Sequence, residues 1–146
     1  MAAPAAILYD ADCGFCRWSL AQLLRLDRRN CLRPVSLQQP EADTLLAGMA
    51  HHERMASWHL VDDDGCVYSG GDALAPLLRL MPGGRPFAAA LAALPAVGDV
   101  AYRTVAGRRS SLGRLIPAAS AARARQRIEA ATDRRASGES SDRDDR

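Results

Sequence analysis

The sequence contains no lysine, few aromatic residues and no long apolar run, and each absence narrows the possible functions. All 19 basic residues are arginines, and with 17 acidic residues they leave a net charge of +2. Aromatic residues make up 5% of the chain and do not alternate with basic residues, so no nucleic-acid partner is predicted. No stretch approaches the roughly 18 consecutive apolar residues of a membrane span.

Cysteine is also scarce, with four residues in a chain of 146, which excludes a secreted scaffold held together by disulfides. A chain of this length can fold around a single core without such cross-links. The first residues lack the basic and apolar segments of a secretion signal, so we expect a cytoplasmic protein. In that compartment a close pair of cysteines is typically reduced, and is catalytic or metal-bound.

Two of the cysteines form a Cys-x-x-Cys pair where a short predicted strand gives way to a helix. Cys13 and Cys16 follow the apolar run at residues 7–9, and leucines recur at helical spacing from Leu20 onward. The unpaired N–H groups and partial positive charge at a helix N-terminus favour a thiolate, so this position indicates redox chemistry. We assign Cys13 as the attacking thiol and Cys16 as the resolving thiol.

Acidic side chains beside the pair have two possible roles. Asp10, at the end of the predicted strand, is assigned as a catalytic residue that relays a proton to or from Cys16. Alternatively, Asp10 or Asp12 caps the helix by accepting hydrogen bonds from its free N–H groups. A nearby carboxylate raises the pKa of a thiol, whereas Arg17 acts in the opposite direction, and the sequence leaves that balance open.

A zinc site is the main alternative for the pair, and it needs two further ligands. Cys31 and Cys66 are the candidates, but neither belongs to a second Cys-x-x-Cys pair, so the spacing favours redox chemistry. His51 and His52 are adjacent and point in different directions in a helix or a strand, which is typical of a solvated turn. We therefore predict no metal and no cofactor.

Periodicity and turn residues predict alternating strands and helices. A hairpin turns at three aspartates followed by Gly65, and a calcium loop is not favoured because the spaced acidic ligands are lacking. Pro34 places the second strand at an edge of the sheet, or makes it begin after the proline. The predicted elements are strands at 6–9, 32–37 and either side of the hairpin turn, and helices at 14–28, 41–50, from Asp72 to Pro82, 87–93 and 97–107.

Motifs around and beyond the pair occur in a fixed order. The first is Tyr9-Asp10-x-x-Cys13-x-x-Cys16, followed by Asp27, Leu37-Gln38, Ser57-x-His59-Leu60-Val61-Asp62, Gly65, Tyr68-x-Gly70, Ala73 and Tyr102-x-x-x-Ala106-x-x-Arg109. With these motifs, residues 5 to about 116 resemble the DCC family of predicted thiol-disulfide oxidoreductases, a domain of unknown function. Ala11 departs from the family, which usually has glycine there and therefore a freer turn.

The resemblance and the order of elements imply a thioredoxin-like α/β fold. Strand, helix, strand, helix, hairpin and helix form a central sheet, with extra C-terminal helices. In this architecture the pair faces the segment that opens the hairpin, so Ser57 and Trp58 are predicted to bind substrate, with core packing as the alternative for Trp58. Phe15 is predicted to be partly exposed and to contact a partner, and Trp18 to pack against the sheet.

The C-terminal part of the chain is predicted as separate segments. Residues 1–116 form the thioredoxin-like domain, 117–131 an exposed helix rich in alanine and arginine, and 132–146 a disordered tail. Arginines between residues 103 and 127 could attract nucleic acid or an anionic membrane surface, but the small net charge favours a solvated face. Arg109 is expected to form an internal ion pair with an acidic side chain.

Two functions follow as hypotheses. The first is a cytoplasmic thiol-disulfide oxidoreductase that reduces or exchanges disulfides through a mixed disulfide. Its substrate is a protein or small-molecule disulfide, and its electron donor is unknown. The second is a zinc-binding or non-catalytic interaction module on the same thioredoxin-like frame.

Overall fold

A four-stranded mixed sheet in the order β2–β1–β3–β4 forms the centre of the computed structural model, which describes residues 4–144 and the side chains of residues 4–134. Strand β1 (Ala5–Tyr9) pairs in parallel with β2 (Leu32–Ser36) and antiparallel with β3 (His59–Val61). Strand β4 (Val67–Ser69) completes the hairpin with β3. The predicted α/β class with a thioredoxin-like central sheet is confirmed.

Helices connect the strands and follow the hairpin. They are α1 (Gly14–Leu26), α2 (Pro40–Leu45), α3 (His51–Ala56), α4 (Leu74–Leu80), α5 (Arg85–Ala93), α6 (Pro95–Gly107), α7 (Arg109–Arg114) and α8 (Ala118–Asp144), with a 3-10 turn at Gly70–Ala73 before α4. The single helix predicted at 41–50 is wrong, because Gly48 adopts a left-handed φ of +87° between α2 and α3. No helix in the described part of the chain is both long enough and apolar enough to cross a membrane.

Strand β1 is buried on both faces, which explains its continuous apolar sequence. Ala5 and Ile7 belong to one apolar cluster, with side chains from α1, α4 and α8. Ala6 and Leu8 belong to a second cluster on the other face, with side chains from β2, β3 and α2. Because successive strand side chains point to opposite faces, a strand covered on both sides must be apolar at every position.

Strand β2 lies at an edge of the sheet, as Pro34 predicts, and includes the proline. Pro34 stands opposite Ile7 in the parallel register. The Leu37 N–H donates to the Tyr9 carbonyl at 2.9 Å, and the alternation along the strand then points the Pro34 nitrogen away from β1. The missing N–H of proline therefore costs no hydrogen bond between strands.

Asp27 is a buried carboxylate that joins the end of α1 to the start of β2. One of its oxygens accepts from the Cys31 N–H at 2.9 Å and the other from the Leu32 N–H at 2.8 Å. Its own N–H donates to the Leu23 carbonyl at 2.9 Å and closes the helix. Hydrogen bonds to an ionised carboxylate are stronger than neutral ones, so Asp27 holds this turn firmly.

His59 is a buried imidazole that joins α3 to the hairpin. Its Nε2 lies 3.0 Å from the Arg54 carbonyl oxygen and its Nδ1 lies 2.7 Å from the Ser69 hydroxyl. A carbonyl can only accept, so Nε2 carries the proton and Nδ1 accepts from the serine. Burial lowers the pKa of His59 below its ordinary value, which keeps the ring neutral.

Helix α8 packs along α1, so the prediction of an exposed helix is wrong for one of its sides. Ala124, Ile128 and Ala131 are buried, and Ile128 belongs to the core cluster on the α1 face of the sheet. The backbone stays helical to Asp144, where the composition predicts a disordered tail from residue 132. Residues 145 and 146 of that tail lie outside the described residues, and the predicted domain boundaries stay predictions.

Candidate active site

Cys13 occupies the N-cap position of α1, where its backbone is extended with φ −86° and ψ 111°. Its Sγ accepts a hydrogen bond from the Cys16 N–H at 3.3 Å. The first N–H groups of a helix have no partner within the helix, so the sulfur satisfies one of them. The alternative in which Asp10 or Asp12 caps α1 is therefore wrong, because a sulfur takes the place of the capping carboxylate.

The two thiols of the pair face each other but differ in environment. Both are free and half-buried. Burial, followed by the hydrogen bond with Cys13 and the charges of Cys13 and Asp10, raises the pKa of the Cys16 thiol to about 12, while the charge of Arg109 lowers it. Cys16 thus keeps its proton at neutral pH. The Cys13 sulfur, by contrast, accepts a hydrogen bond from the backbone N–H of Cys16.

Gln38 holds the loop between β1 and α1. Its Nε2 donates to Asp10 Oδ1 at 2.8 Å, and its Oε1 accepts from the Ala11 N–H at 3.1 Å and the Ser36 hydroxyl at 2.6 Å. Asp10 Oδ1 also accepts from the Asp12 N–H at 3.0 Å. These bonds fix the Asp10 carboxylate beside the pair, and its role as a proton relay stays a prediction. Sequence reasoning noted Gln38 only as part of a motif.

Phe15, between the two cysteines, packs with Trp18 and lies under α7. The two rings stack with centroids 6.2 Å apart and planes inclined by 28°, and both are half-buried. A Cβ added to Gly113 would lie 3.5 Å from the Phe15 nitrogen, which places α7 against the start of α1. The sequence predicts that Trp18 packs against the sheet, and in the structure its ring stacks on Phe15. Substrate binding by Phe15 stays a prediction.

Ser57 and Trp58 lie at the same end of the sheet as Cys13, where the sequence predicts them. They precede β3, whose first residue, His59, stands opposite Leu8 near the end of β1. Trp58 packs against the core cluster on the α1 face. The Ser57 hydroxyl and the backbone N–H of Trp58 both interact with the Tyr102 hydroxyl. A role for these two residues in substrate binding stays a prediction.

Tyr102 is a residue of this site that sequence reasoning missed. Burial raises the pKa of its hydroxyl. The charge of Arg109 lowers this pKa, and the electrostatic effect of Cys16 raises it. The ring reaches this position because Gly70, with φ +55°, has no side chain, and an added Cβ would lie 2.9 Å from Tyr102 Cε1. The motifs that contain Gly70 and Tyr102 were visible in the sequence, but their contact is not.

Arg109, at the start of α7, contributes a positive charge to the site. Its charge acts on both Cys16 and Tyr102 and opposes the effect of burial on the pKa of each. The expected ion pair with an acidic side chain is not found among the described side chains. Ion pairs that the described side chains do form include Arg33–Glu41, Arg54–Asp43 and Arg103–Asp99.

Comparison with known families decides the assignment. A family model for DCC1-like thiol-disulfide oxidoreductases matches residues 7–115, which is most of the chain. The chain belongs to the DCC1-like thiol-disulfide oxidoreductase family. The resemblance inferred from the motifs is confirmed. No curated protein and no solved structure matches the chain.

The other two cysteines of this DCC1-like protein lie at the opposite end of the sheet from the pair. Cys31 precedes β2, and its carbonyl accepts from the Ala5 N–H at 2.8 Å. Cys66 lies in the hairpin turn, beside the same end of β1, because Val61 stands opposite Ala6. A five-residue strand is about 16 Å long, so neither sulfur meets the pair. The zinc site with these four ligands is therefore wrong.

The aspartate run forms the hairpin turn, as predicted. The carboxylates of Asp62, Asp63 and Asp64 have oxygens within 4.8 Å of one another. Asp62 Oδ1 accepts from the N–H groups of Asp64 at 3.1 Å and Cys66 at 2.8 Å, and its Oδ2 accepts from the Tyr68 hydroxyl at 3.2 Å. In this DCC1-like protein the first carboxylate is thus committed to shaping the turn.

Proposed function

We propose that this DCC1-like protein reduces or exchanges disulfides with Cys13 as the attacking thiol and Cys16 as the resolving thiol. The observation that carries the proposal is the unequal setting of the two sulfurs. Cys13 Sγ accepts the Cys16 N–H at 3.3 Å at the positive end of α1, while burial raises the pKa of Cys16. A helix N–H donor and the helix dipole stabilise a thiolate, which is the reactive form.

The reaction balances as two successive thiol–disulfide exchanges. The Cys13 thiolate attacks one sulfur of the substrate disulfide, forms a new S–S bond and displaces the other substrate sulfur, which takes a proton from water. The Cys16 thiol then loses its proton and attacks the Cys13 sulfur, which releases the second substrate thiolate. The substrate has gained two electrons, and the protein holds a disulfide between Cys13 and Cys16.

Asp10 is the group that we propose takes the Cys16 proton. Its carboxylate is held by Gln38 and acts electrostatically on the Cys16 thiol. When Cys13 enters the mixed disulfide it loses its negative charge, which removes one of the causes that raise the pKa of Cys16. Capture of the substrate therefore makes the Cys16 proton easier to remove, although burial still raises the pKa of this thiol.

We propose that Phe15, Ser57 and Trp58 contact the protein or small molecule that carries the substrate disulfide. All three side chains are half-buried, and Ser57 and Trp58 precede β3 at the end of the sheet where β1 leads to Cys13. A thiol reductant must return two electrons to the Cys13–Cys16 disulfide after each cycle. A cytoplasmic location, as the sequence predicts, would supply such reductants.

The test is to trap the mixed disulfide with a peptide disulfide as substrate. The Cys16→Ser variant should keep the peptide attached to Cys13, detected by mass spectrometry of the intact protein. The Cys13→Ser variant should lose reductase activity and form no comparable adduct. Cys66→Ser removes an exposed thiol at the other end of the sheet and should behave like the wild type.

Reductase activity that survives Cys13→Ser would show that the assignment of the attacking thiol is wrong. Stoichiometric zinc retained by the reduced protein, and lost in Cys13→Ser, would favour a metal site over the redox function. Measuring the reduction potential in glutathione buffers separates a reductant from an oxidant, because known pairs span roughly −270 to −120 mV.

A further inference from the structure

Exposed apolar side chains concentrate on α5 and α6. Eight large apolar side chains are exposed among those described, and five of them lie on or between these two helices. Single exposed apolar residues are normal, but a cluster marks an interaction site. We call the cluster of Phe87, Leu94, Val97 and Val100 the α5–α6 face, and the exposed fractions of these side chains are 56–68%. Val105 is seven residues from the buried Gly98 and lies on the inner side of α6 by helical spacing.

Helix α6 is apolar on two opposite sides, of which only one is covered. Gly98 is buried and Tyr102 is half-buried on the side towards the protein. Val97 and Val100 lie on the other side by helical spacing and are 56% and 63% exposed. Thr104 lies on that side too, but its hydroxyl donates to the Val100 carbonyl at 2.7 Å and adds little polarity. The outer side of α6 is thus an apolar surface without a partner among the described residues.

The charge around this face is positive. Residues 85–116 contain five arginines and one aspartate. That aspartate, Asp99, is paired with Arg103 at 2.9 Å, and Arg109 lies beside the thiol pair. The exposed arginines left without a counter-charge in the segment are Arg85, Arg108 and Arg114. Two copies of the chain joined through this face would bring arginines against arginines, which is unfavourable. The charge therefore complements an anionic surface better than a second copy.

The shape of the face also restricts its partner. Phe87 is 68% exposed and Leu94 is 59% exposed, so these side chains project from the surface. Peptides bind in grooves or along sheet edges, where apolar side chains form a recess. Projecting apolar side chains among arginines are instead typical of helices that lie in the interface of a membrane.

We propose that the α5–α6 face docks on an anionic lipid bilayer. The apolar side chains enter the boundary between headgroups and acyl chains, and the arginines contact the anionic headgroups. A protein docked in this way lies on the membrane surface, so it needs no membrane-spanning helix.

Docking would also bring the thiol pair close to the membrane. Tyr102 lies on the inner side of α6, and its hydroxyl interacts with the Ser57 side chain and electrostatically with Cys16. A helix with its side chains is about 10–12 Å wide, so the pair would lie roughly one helix diameter from the bilayer. This consequence rests on the proposed redox function, whereas the docking itself does not.

The test is co-sedimentation of the 146-residue chain with vesicles of phosphatidylcholine, alone or mixed with phosphatidylglycerol. We expect binding to the mixed vesicles only. Phe87→Ser and Val97→Glu should each weaken this binding by at least about tenfold, because each removes an inserted apolar side chain. Leu26→Glu is the matched control, since Leu26 is 55% exposed at the end of α1 and should bind as the wild type.

The arginines are tested separately at low salt. Arg85→Gln should weaken binding about fivefold, whereas Arg125→Gln, an exposed position on α8, should leave it unchanged. Circular dichroism checks that each variant is folded.

Failure to bind mixed vesicles, equal binding to neutral vesicles, or equal losses for Leu26→Glu and Val97→Glu would overturn the proposal. A dimer that Val97→Glu dissociates, without vesicle binding, would assign the face to a second copy. None of these outcomes depends on reductase activity, so the two proposals fail independently.

Discussion

The raised pKa of Cys16 predicts that this thiol reacts far more slowly in the folded protein than in the unfolded chain. Its pKa rises from 9.0 to about 12 on folding, a change of about three. At neutral pH this reduces the thiolate population about a thousandfold. A thiolate of higher pKa is a better nucleophile, with a Brønsted slope of about 0.4–0.5, which recovers a factor of about 20. The net expectation is that Cys16 reacts about 50-fold more slowly.

The assay is alkylation with iodoacetamide, followed by peptide mass spectrometry that reports each cysteine separately. The same protein unfolded in urea provides the reference rate for Cys16, and exposed Cys66 is an internal control for the reagent. Asp10→Asn should speed the alkylation of Cys16, because the Asp10 charge is one cause of the raised pKa. Asp12→Asn is the matched control, since Asp12 is not among those causes.

Two results would refute this reasoning. If Cys16 is alkylated as fast in the folded protein as in urea, burial does not hold its proton. If Asp12→Asn speeds the reaction as much as Asp10→Asn, the effect comes from general charge near the helix and not from the Asp10 carboxylate. In either case the order of attack proposed for the two thiols would lose its physical basis.

Three further predictions concern stability, measured by urea unfolding. Gly70→Ala should cost about 2–3 kcal/mol, because it adds left-handed strain and meets the Tyr102 ring at 2.9 Å, whereas Gly65→Ala, with φ +79° and no atom within 4 Å, should cost only about 1 kcal/mol; equal costs would argue against the ring contact. Burial lowers the pKa of His59 from 6.5, so its contribution to stability is complete above about pH 6.5 and is lost as the pH falls towards the folded-state value. The variant His59→Gln should flatten that pH dependence, and an unchanged slope would exclude this histidine as its source. Asp27→Ala should cost about 2–4 kcal/mol, because it leaves two backbone N–H groups without acceptors, and Asp27→Asn should cost less; the reverse order would be inconsistent with the hydrogen bonds described.

Short-range spacing was sufficient to find the thiol pair and the frame that carries it. Cys13 and Cys16 are one helical turn apart regardless of how the helix packs. The strand before them is recognisable because burial on both faces makes its sequence a continuous apolar run. The hairpin at Gly65 and the edge position of β2 follow from equally local rules about turns and proline. The helix at α8 was predicted, but its burial against α1 was not, because alanines give a weak periodic signal and Ile128 is the only large apolar residue on its buried side.

Long-range packing determined which groups surround the pair. Tyr102 and Arg109 interact electrostatically with Cys16 because α6 packs on Gly70 and α7 packs on Phe15. The strand register, in turn, places Cys31 and Cys66 a strand length away from the pair. Periodicity reports which side of an element is buried, but contacts between distant segments depend on how helices cross and how strands are ordered. Those quantities are set by the fit of many side chains at once, which no single motif encodes.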